Sequence, residues 1–453
     1  MPIHGSEYPP QRIAVVGSGI AGLSAAWLLA KRHQVTLFEA NPTLGGHTNT
    51  IEVNDQGRQI PIDTGFIVYN ALNYPNLVAL FTALGVATTA SDMSFAASLR
   101  DGALEYSGTD LRGLFAQRTN LLRPRFWRML RDLRRFYAEA PSYLSGPEAQ
   151  MSIGELLSRQ RYSAAFGEDH LWPMAGAIWS ATPGDIRNYP ARSFIEFFTN
   201  HGLLQLSNRP QWRTVQGGAR EYVHRLRATM PDATCIHQAV LRVDRLPSHV
   251  VLHTIDGLAH AFDQVVIAVH ADQALRLLAA PTADERWWLG AFRYSRNTAF
   301  LHEDTRLMPR RRRAWASWNY LEAHTRAATS RLCVTYWMNR LQALATTRQF
   351  FVTLNPLHEP RPSLTHYRTV YEHPQFDQRA LAAQQALWRL QGVHRTWYCG
   401  SYFGYGFHED ALQAGLLVAE RLGGVTRPWP RPTQASRVPW PPDSQSSMLA
   451  DAA

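Results

Sequence analysis

Three glycines, Gly17, Gly19 and Gly22, are spaced G-x-G-x-x-G in the run "VVGSGIAGLSA", and Glu39 follows Gly19 by 20 residues. Each residue type suits one task. Gly17 allows a tight turn, Gly19 lets the backbone approach a pyrophosphate, and Gly22 lets a helix pack closely on a strand. Ser18, Ile20 and Ala21 lie in the turn that opens the helix, whose free N–H groups then face the phosphates. The Glu39 carboxylate can accept hydrogen bonds from ribose hydroxyls and repels a 2′-phosphate, which argues against NADP. The pattern points to a bound dinucleotide, and the following residues bear on which one. Ala40 succeeds the acid; Gly45 and Gly46 offer a second backbone approach to the same pyrophosphate, followed by His47 and Thr48. Asp63, Thr64, Gly65 and Phe66 then follow another strand.

These residues need a strand, a helix and a second strand to hold them. Residues 12–16 read as a short buried strand, 20–32 as a helix and 34–39 as the second strand, the opening of a βαβ unit. A strand pair is expected over 57–69. From 75 to 205 the chain is rich in Trp, Phe and Arg at helical spacing and is expected to be mostly helical. A strand returns at 213–216, then a glycine turn into a helix, then strands at 234–243, 249–254 and 261–269. The last, "FDQVVIAV", has the continuous apolar run of a buried parallel strand. Residues 293–356 read as β-rich, 396–399 as a strand, and 409–422 as an amphipathic helix stopped by Gly423 and Gly424. The Pro- and Ser-rich tail 425–453 is expected to be disordered.

The order "GSGIAG", an acid, "LGGHTNT" and "DTG" resembles the flavin-containing amine oxidoreductase superfamily, which includes amine oxidases, protoporphyrinogen oxidases and phytoene-type desaturases. His47 stands where amine oxidases usually carry arginine. The run "YCGSYFGYGFHEDALQAGLLVAERL" (398–422) is similar to the superfamily's C-terminal flavin motif, a strand ending in glycine and a helix aimed at the isoalloxazine ring. The resemblance places Gly400, Ser401, Glu409, Asp410, Ala411 and Leu412 at the cofactor, and "VQGGAREYV" with Val240 over its adenosine half. "DTGFIVYN", "LMPRRRRAWASWNY" and "VTYWMNRLQ" look most like a bacterial subgroup of predicted NAD/FAD-binding proteins, associated with enzymes that modify membrane fatty acids.

The resemblance implies an α/β fold. A Rossmann-like FAD-binding domain of the glutathione-reductase type would be built discontinuously from 1–75, 213–275 and 395–424. An α+β substrate domain, 76–212 and 276–394, would interleave with it. It further implies an FAD-dependent oxidoreductase with non-covalent flavin, since no cysteine lies near enough for a covalent link. Amine oxidases of the superfamily place a lysine near the flavin, but Lys31, the only lysine here, ends the first helix. The leading expectation is therefore a dehydrogenase or desaturase that takes hydride from an apolar lipid or fatty-acyl-like substrate. Oxidation of an amine or amino acid is one alternative; a flavin-binding accessory protein for a lipid-modifying enzyme is another. Trp127, Trp172, Trp179, Phe194, Phe197, Phe198, Trp315, Trp318, Tyr336 and Trp337 permit an apolar pocket. Tyr405 and His408 are candidates near the ring, and no catalytic residue or electron acceptor is assigned. His170, His201, His270 and His366 are scattered without metal spacing and read as structural.

Composition narrows the class. With 453 residues, 45% apolar and 18% charged, the chain is long enough for two or three domains and contains no apolar run of membrane-spanning length. Cys235, Cys333 and Cys399 show no CxxC spacing, so neither a disulfide framework nor a zinc site is expected, and a reducing cytoplasm fits. The net charge of +10 is almost wholly arginine, clustered in "RPRFWRMLRDLRRFY" (123–137) and "RRRR" (310–313). No nucleic-acid-binding fold accompanies these clusters, so nucleic acid is not an expected partner. Peripheral contact with an anionic membrane is a candidate role for the first cluster.

Overall fold

The computed structural model describes residues 9–179, 183–200, 202–205, 209–324, 330–432 and 438–439. A five-stranded parallel sheet runs in the order Thr234–Ile236, Gln34–Phe38, Arg12–Val16, Gln264–Ile267, Thr396–Tyr398. Ile13, Val15, Val265 and Val266 on its central strands are fully buried, as the continuous apolar runs require of strands covered on both faces. All five strands come from 1–75, 213–275 and 395–424. The expected long strands 234–243 and 261–269 are each divided. Val240–Arg245 and Ala259–Phe262 leave the parallel layer and join Val250–Thr254 in a separate antiparallel sheet.

The helix Ile20–Leu29 is buried on every side. It lies between the parallel sheet and the C-terminal helix His408–Gly423, and small residues make this possible. A Cβ on Gly415 would stand 2.2 Å from the Ala21 carbonyl oxygen, so the two helices meet almost backbone to backbone. Gly424, at φ +57°, ends the C-terminal helix.

The second layer is a seven-stranded sheet in the order Thr365–Gln375, Arg293–His302, Phe351–Leu354, Ser330–Trp337, Trp318–His324, Phe95–Leu99, Leu104–Ser107. All of its strands lie within 76–212 and 276–394. The 75–205 region is therefore not purely helical. Thr88–Ser91, Phe95–Leu99 and Leu104–Ser107 are strands of four or five residues, too short to stand out from the surrounding helical spacing. The helices beyond them, among them Pro124–Glu139 and Ala191–Asn200, close over a cluster containing Phe136, Phe166, Phe194 and Phe198.

The first part of the tail corrects the expectation of disorder. Arg427 is buried against Glu420 at 2.7 Å and reaches Asn76, and Trp429 stacks on Trp27 at 5.8 Å. Composition marked the segment as unable to form a core of its own, but an existing core receives it. Residues 433–437 and 440–453 lie outside the described residues, as do His201 and the side chain of Trp179.

Candidate active site

Two glycine turns meet at the carboxyl end of the parallel strands. Gly17, at φ +99°, donates its N–H to the Phe38 carbonyl at 2.9 Å, tying the first turn to the second strand. A Cβ on Gly22 would stand 1.9 Å from the Gly17 carbonyl oxygen. Gly46 lies so close to Gly19 that a Cβ on it would be 3.2 Å from the Gly19 Cα. Gly45 donates to both the carbonyl and the hydroxyl of Ser18, each at 3.1 Å. A Cβ on Gly19 itself would meet nothing within 4 Å.

That open side belongs to a cavity of about 890 Å³, at the upper end of the size of ligand pockets. Its wall holds Gly17, Ser18, Gly19, Ile20, Ala21, Glu39, Ala40, Gly45, Gly46, His47, Thr64, Gly65, Phe66, Val240, Gly400, Ser401 and Ala411, all expected at a cofactor. Glu39 is buried, with four donors on its two oxygens: the backbone and hydroxyl of Ser18, and the backbone and amide of Asn41. A ribose hydroxyl reaches this carboxylate only if the Asn41 amide turns away.

Gly22, Thr48, Glu409, Asp410 and Leu412 do not line the cavity. Gly22 serves the packing of turn on helix. Thr48 bonds Tyr222, whose hydroxyl also bonds His408 Nε2 at 2.8 Å. Glu409 accepts N–H groups from Asn76 and Leu77, capping the helix Pro75–Leu84. Asp410 accepts the Tyr405 and Phe407 N–H groups. Helical periodicity gives the reason: His408 and Ala411 share the cavity face, and the residues between them point elsewhere. Tyr405 and His408 both reach the wall, and His408 stacks on Phe66 at 3.9 Å.

A group of imidazoles stands between the glycine turns and the seven-stranded sheet. The His47 ring centroid is 5.7 Å from His373, 6.3 Å from His270 and 5.0 Å from Tyr371. Burial, then the neighbouring histidines, push His47 down to about 3; burial likewise takes His373 to about 4 and lowers His270. All three rings are neutral at pH 7. His373 Nδ1 accepts the Asn297 amide at 3.0 Å, which leaves its proton on Nε2. His270 stacks on Tyr294, with Nδ1 3.4 Å from the Glu372 carboxylate.

Sequence reasoning missed Tyr371, Glu372 and His373 and took His270 as structural. The available signal was faint: Tyr371 and His373 are two apart on the strand Thr365–Gln375 and share a face. His170 and His366 lie off the cavity wall. His170 is buried against Tyr106 at 3.0 Å, and His366 bonds Glu303 at 2.8 Å. Of the ten expected aromatics, Phe197, Trp318 and Tyr336 reach the cavity, and Trp127 is on the outer surface. Met93, Phe95, Met174, Ile178, Leu203, Trp212 and Leu354 complete the apolar wall.

The cradle fits a flavin dinucleotide. Two glycine turns and a helix N-terminus open onto the space without side chains, and an acid ends the second strand. Three buried polar atoms on the wall, the Tyr402 hydroxyl, the Trp318 indole nitrogen and His270 Nδ1, have no hydrogen-bond partner among the described residues. No group of His, Cys, Asp or Glu among the described residues could hold a metal ion.

Residues 20–301 match the family model of the flavin-containing amine oxidoreductases. A flavin-containing monoamine oxidase of Mycobacterium tuberculosis is 27% identical over 263 residues, 57% of this chain and 56% of that protein. A carotenoid phi-ring synthase of Chlorobaculum tepidum is 40% identical over 78 residues, 17% of this chain and 12% of that one. The chain thus matches little more than half the length of the first relative. Cyclohexylamine oxidase of Brevibacterium oxydans has a similar fold, with a TM-score of 0.64 and 17% identity over 91% of this chain and all of that one. A fatty acid isomerase of P. acnes is as similar, with a TM-score of 0.61 and 16% identity over 92% and 99% of the two chains. The match over residues 20–301 makes this chain a member of the flavin-containing amine oxidoreductases, and the glycine cradle is where the flavin of that family would be held.

Proposed function

We propose that the chain is a dehydrogenase or desaturase of an apolar, acyl-like substrate, and that one cavity receives both FAD and that substrate. One observation carries the reading. Away from the glycine turns the cavity is walled by Met93, Phe95, Met174, Ala177, Ile178, Phe197, Leu203, Trp318, Tyr336 and Leu354, none of them ionised at neutral pH. A substrate ammonium placed against these residues would lose its hydration, and the one carboxylate on the described wall outside the glycine turns and Glu39 is Glu372, beside His270. Lys31, the only lysine, lies over the Trp27 ring and not on the cavity wall.

FAD would be held by the turns Gly17–Ala21 and Gly45–His47, by Glu39 and Ala40, by Thr64–Phe66, by Val240, and by Gly400, Ser401 and Ala411. When bound it supplies a two-electron acceptor. The chain's own residues exclude water, orient the acyl chain and manage the proton. His270 has the Glu372 carboxylate 3.4 Å from Nδ1, without a hydrogen bond between them, and that nearby negative charge favours it as the receiver for a proton leaving the substrate. His373, fixed by Asn297, presents a proton instead of accepting one.

The test is the anaerobic visible spectrum of the purified protein. Bleaching by acyl phospholipid and not by an amine panel is expected. Bleaching by amines, with hydrogen peroxide released in air, would favour the second reading, amine oxidation, which the similarity to a monoamine oxidase supports. A flavin band that ignores both would favour an accessory protein.

A further inference from the structure

The two arginine clusters, far apart in sequence, meet on one corner of the substrate domain. The turn Arg312–Ala314 packs on the short helix Leu111–Leu114. Buried Glu105 holds the 310–313 loop in place, accepting the backbone N–H groups of Arg310 and Arg311 and the Arg311 guanidinium. Beside them runs the helix Pro124–Glu139. Its inner face buries Phe126, Met129 and Phe136, and its outer face exposes Trp127, Arg128, Arg131 and Arg134.

Exposed apolar side chains gather at the same corner. Leu111 is 74% exposed, Leu122 86%, Leu121 50% and Trp127 49%, four of the twelve large hydrophobic residues exposed among the described residues. Single exposed leucines are ordinary; four within one short stretch mark an interaction surface. The charge around them is mostly positive, with Asp110 and the Arg125-paired Glu168 as exposed carboxylates at its edge. Residues 111–135 hold eight arginines and one carboxylate, Asp132, which is buried. Arg112, Arg118, Arg128, Arg134, Arg312 and Arg313 make no ion pair among the described residues, so their charge is available to a partner.

We infer that this corner docks on an anionic phospholipid bilayer, with Leu111, Leu122 and Trp127 entering the acyl boundary and the arginines meeting headgroup phosphates. Charge complementarity alone would suit a nucleic acid equally well. Leucines exposed among the arginines distinguish the two, since they gain nothing against a phosphate backbone and gain by burial in lipid. The inference concerns binding and stands apart from the substrate reading.

Flotation of the full, FAD-loaded chain tests it, using vesicles of phosphatidylcholine alone and of phosphatidylcholine with phosphatidylglycerol. Only the anionic vesicles should carry the protein, and added salt should weaken the binding. At about fivefold per arginine, the Arg128→Gln, Arg131→Gln, Arg134→Gln triple variant should lose on the order of a hundredfold in partition. The Leu111→Ser, Leu122→Ser double variant should also bind less while keeping its flavin band. Equal flotation with neutral and anionic vesicles, or none with either, overturns the inference. So does tight, salt-sensitive binding of duplex DNA that displaces vesicles and is indifferent to the leucine changes.

Discussion

Alanine at Gly22 and alanine at Gly19 are expected to fail in different ways, although the two glycines belong to one motif. A Cβ at position 22 would stand 1.9 Å from the Gly17 carbonyl oxygen and 3.1 Å from the Ala268 Cβ, where ordinary contact begins at 3.4 Å. The helix would have to withdraw by more than an ångström. It has nowhere to go, because its other side meets the C-terminal helix at Gly415. Overpacking costs about 1–3 kcal/mol where side chains can shift, and here the obstacle is backbone, so Gly22→Ala should cost the apoprotein about 3 kcal/mol or more. Gly19 differs on both counts. Its φ of −61° and ψ of 172° suit any residue, and a Cβ there meets nothing within 4 Å. Gly19→Ala should therefore leave the apoprotein unchanged, or stabilise it by up to ~1 kcal/mol through the unfolded chain. The added methyl instead fills the space into which a pyrophosphate must come. A cost of about 1–3 kcal/mol in the complex raises the FAD Kd roughly 5- to 150-fold. Urea unfolding of the apoprotein and titration with FAD, followed by flavin fluorescence, separate the two effects. Gly19→Ala apoprotein as unstable as Gly22→Ala, or Gly19→Ala with an unchanged Kd, would refute the reasoning.

Three further outcomes follow from individual side chains. Asp63 is fully buried, takes N–H or O–H groups from Ala219, Thr50 and Gln342, and is pushed by burial up to about 7. A raised carboxyl favours the folded state when protonated, so its contribution is complete below the ordinary Asp range and is lost as pH rises towards 7. At about 1.36 kcal/mol per pH unit that loss is roughly 4 kcal/mol, and Asp63→Asn, measured by denaturation at pH 5 and pH 8, should remove this slope. Arg427→Ala leaves Glu420 buried with only the exposed Arg431 for charge, and a loss of ~3 kcal/mol in urea unfolding is expected. Trp318→Phe removes the unpaired indole N–H from the apolar wall; a tenfold rise in KM at constant kcat, about 1.4 kcal/mol, is expected if a substrate acceptor meets it, and an unchanged KM would deny that contact.

The glycine-turn half of the cavity was legible because it is local. Gly17 to Glu39 and Gly45 to Phe66 are short runs in which turn, helix and strand are fixed by neighbours in sequence, and each glycine's role follows from its own backbone. The apolar half draws Met93, Met174, Phe197, Trp318 and Tyr336 from five segments, and nothing in a single sequence says that these aromatics and methionines face one space while Phe194, Phe198 and Trp315 face another. Glu409 and Asp410 illustrate a different failure. Two acids beside the expected flavin motif suggested proximity to the cofactor, but Glu409 accepts from Asn76 and Leu77, which only the folded chain brings near, and Asp410 accepts from Tyr405 and Phe407 just before its own helix. The histidine group was missed for the same reason. His47, His270 and His373 are more than a hundred residues apart in each pairing and converge only through strand placement.

The apolar wall and the apolar corner gain meaning together. Phe126 and Met129, on the inner face of the arginine-rich helix, belong to the same packed cluster as Ala177 and Tyr336 of the cavity wall. An acyl chain held in a bilayer leaves it at a cost of about 0.8 kcal/mol per methylene exposed to water, so ten methylenes cost ~8 kcal/mol, close to a millionfold in partition. A protein that draws such a chain through water meets that barrier on every turnover; one docked on the bilayer does not. Leu111→Ser with Leu122→Ser should therefore lower kcat/KM for acyl lipid in anionic vesicles in proportion to the loss of binding. Turnover of the same acyl group as a short, water-soluble ester should be untouched, because neither leucine lines the cavity. Equal losses on both substrates would mean that the leucines act through the fold, and equal retention on both would uncouple the corner from catalysis.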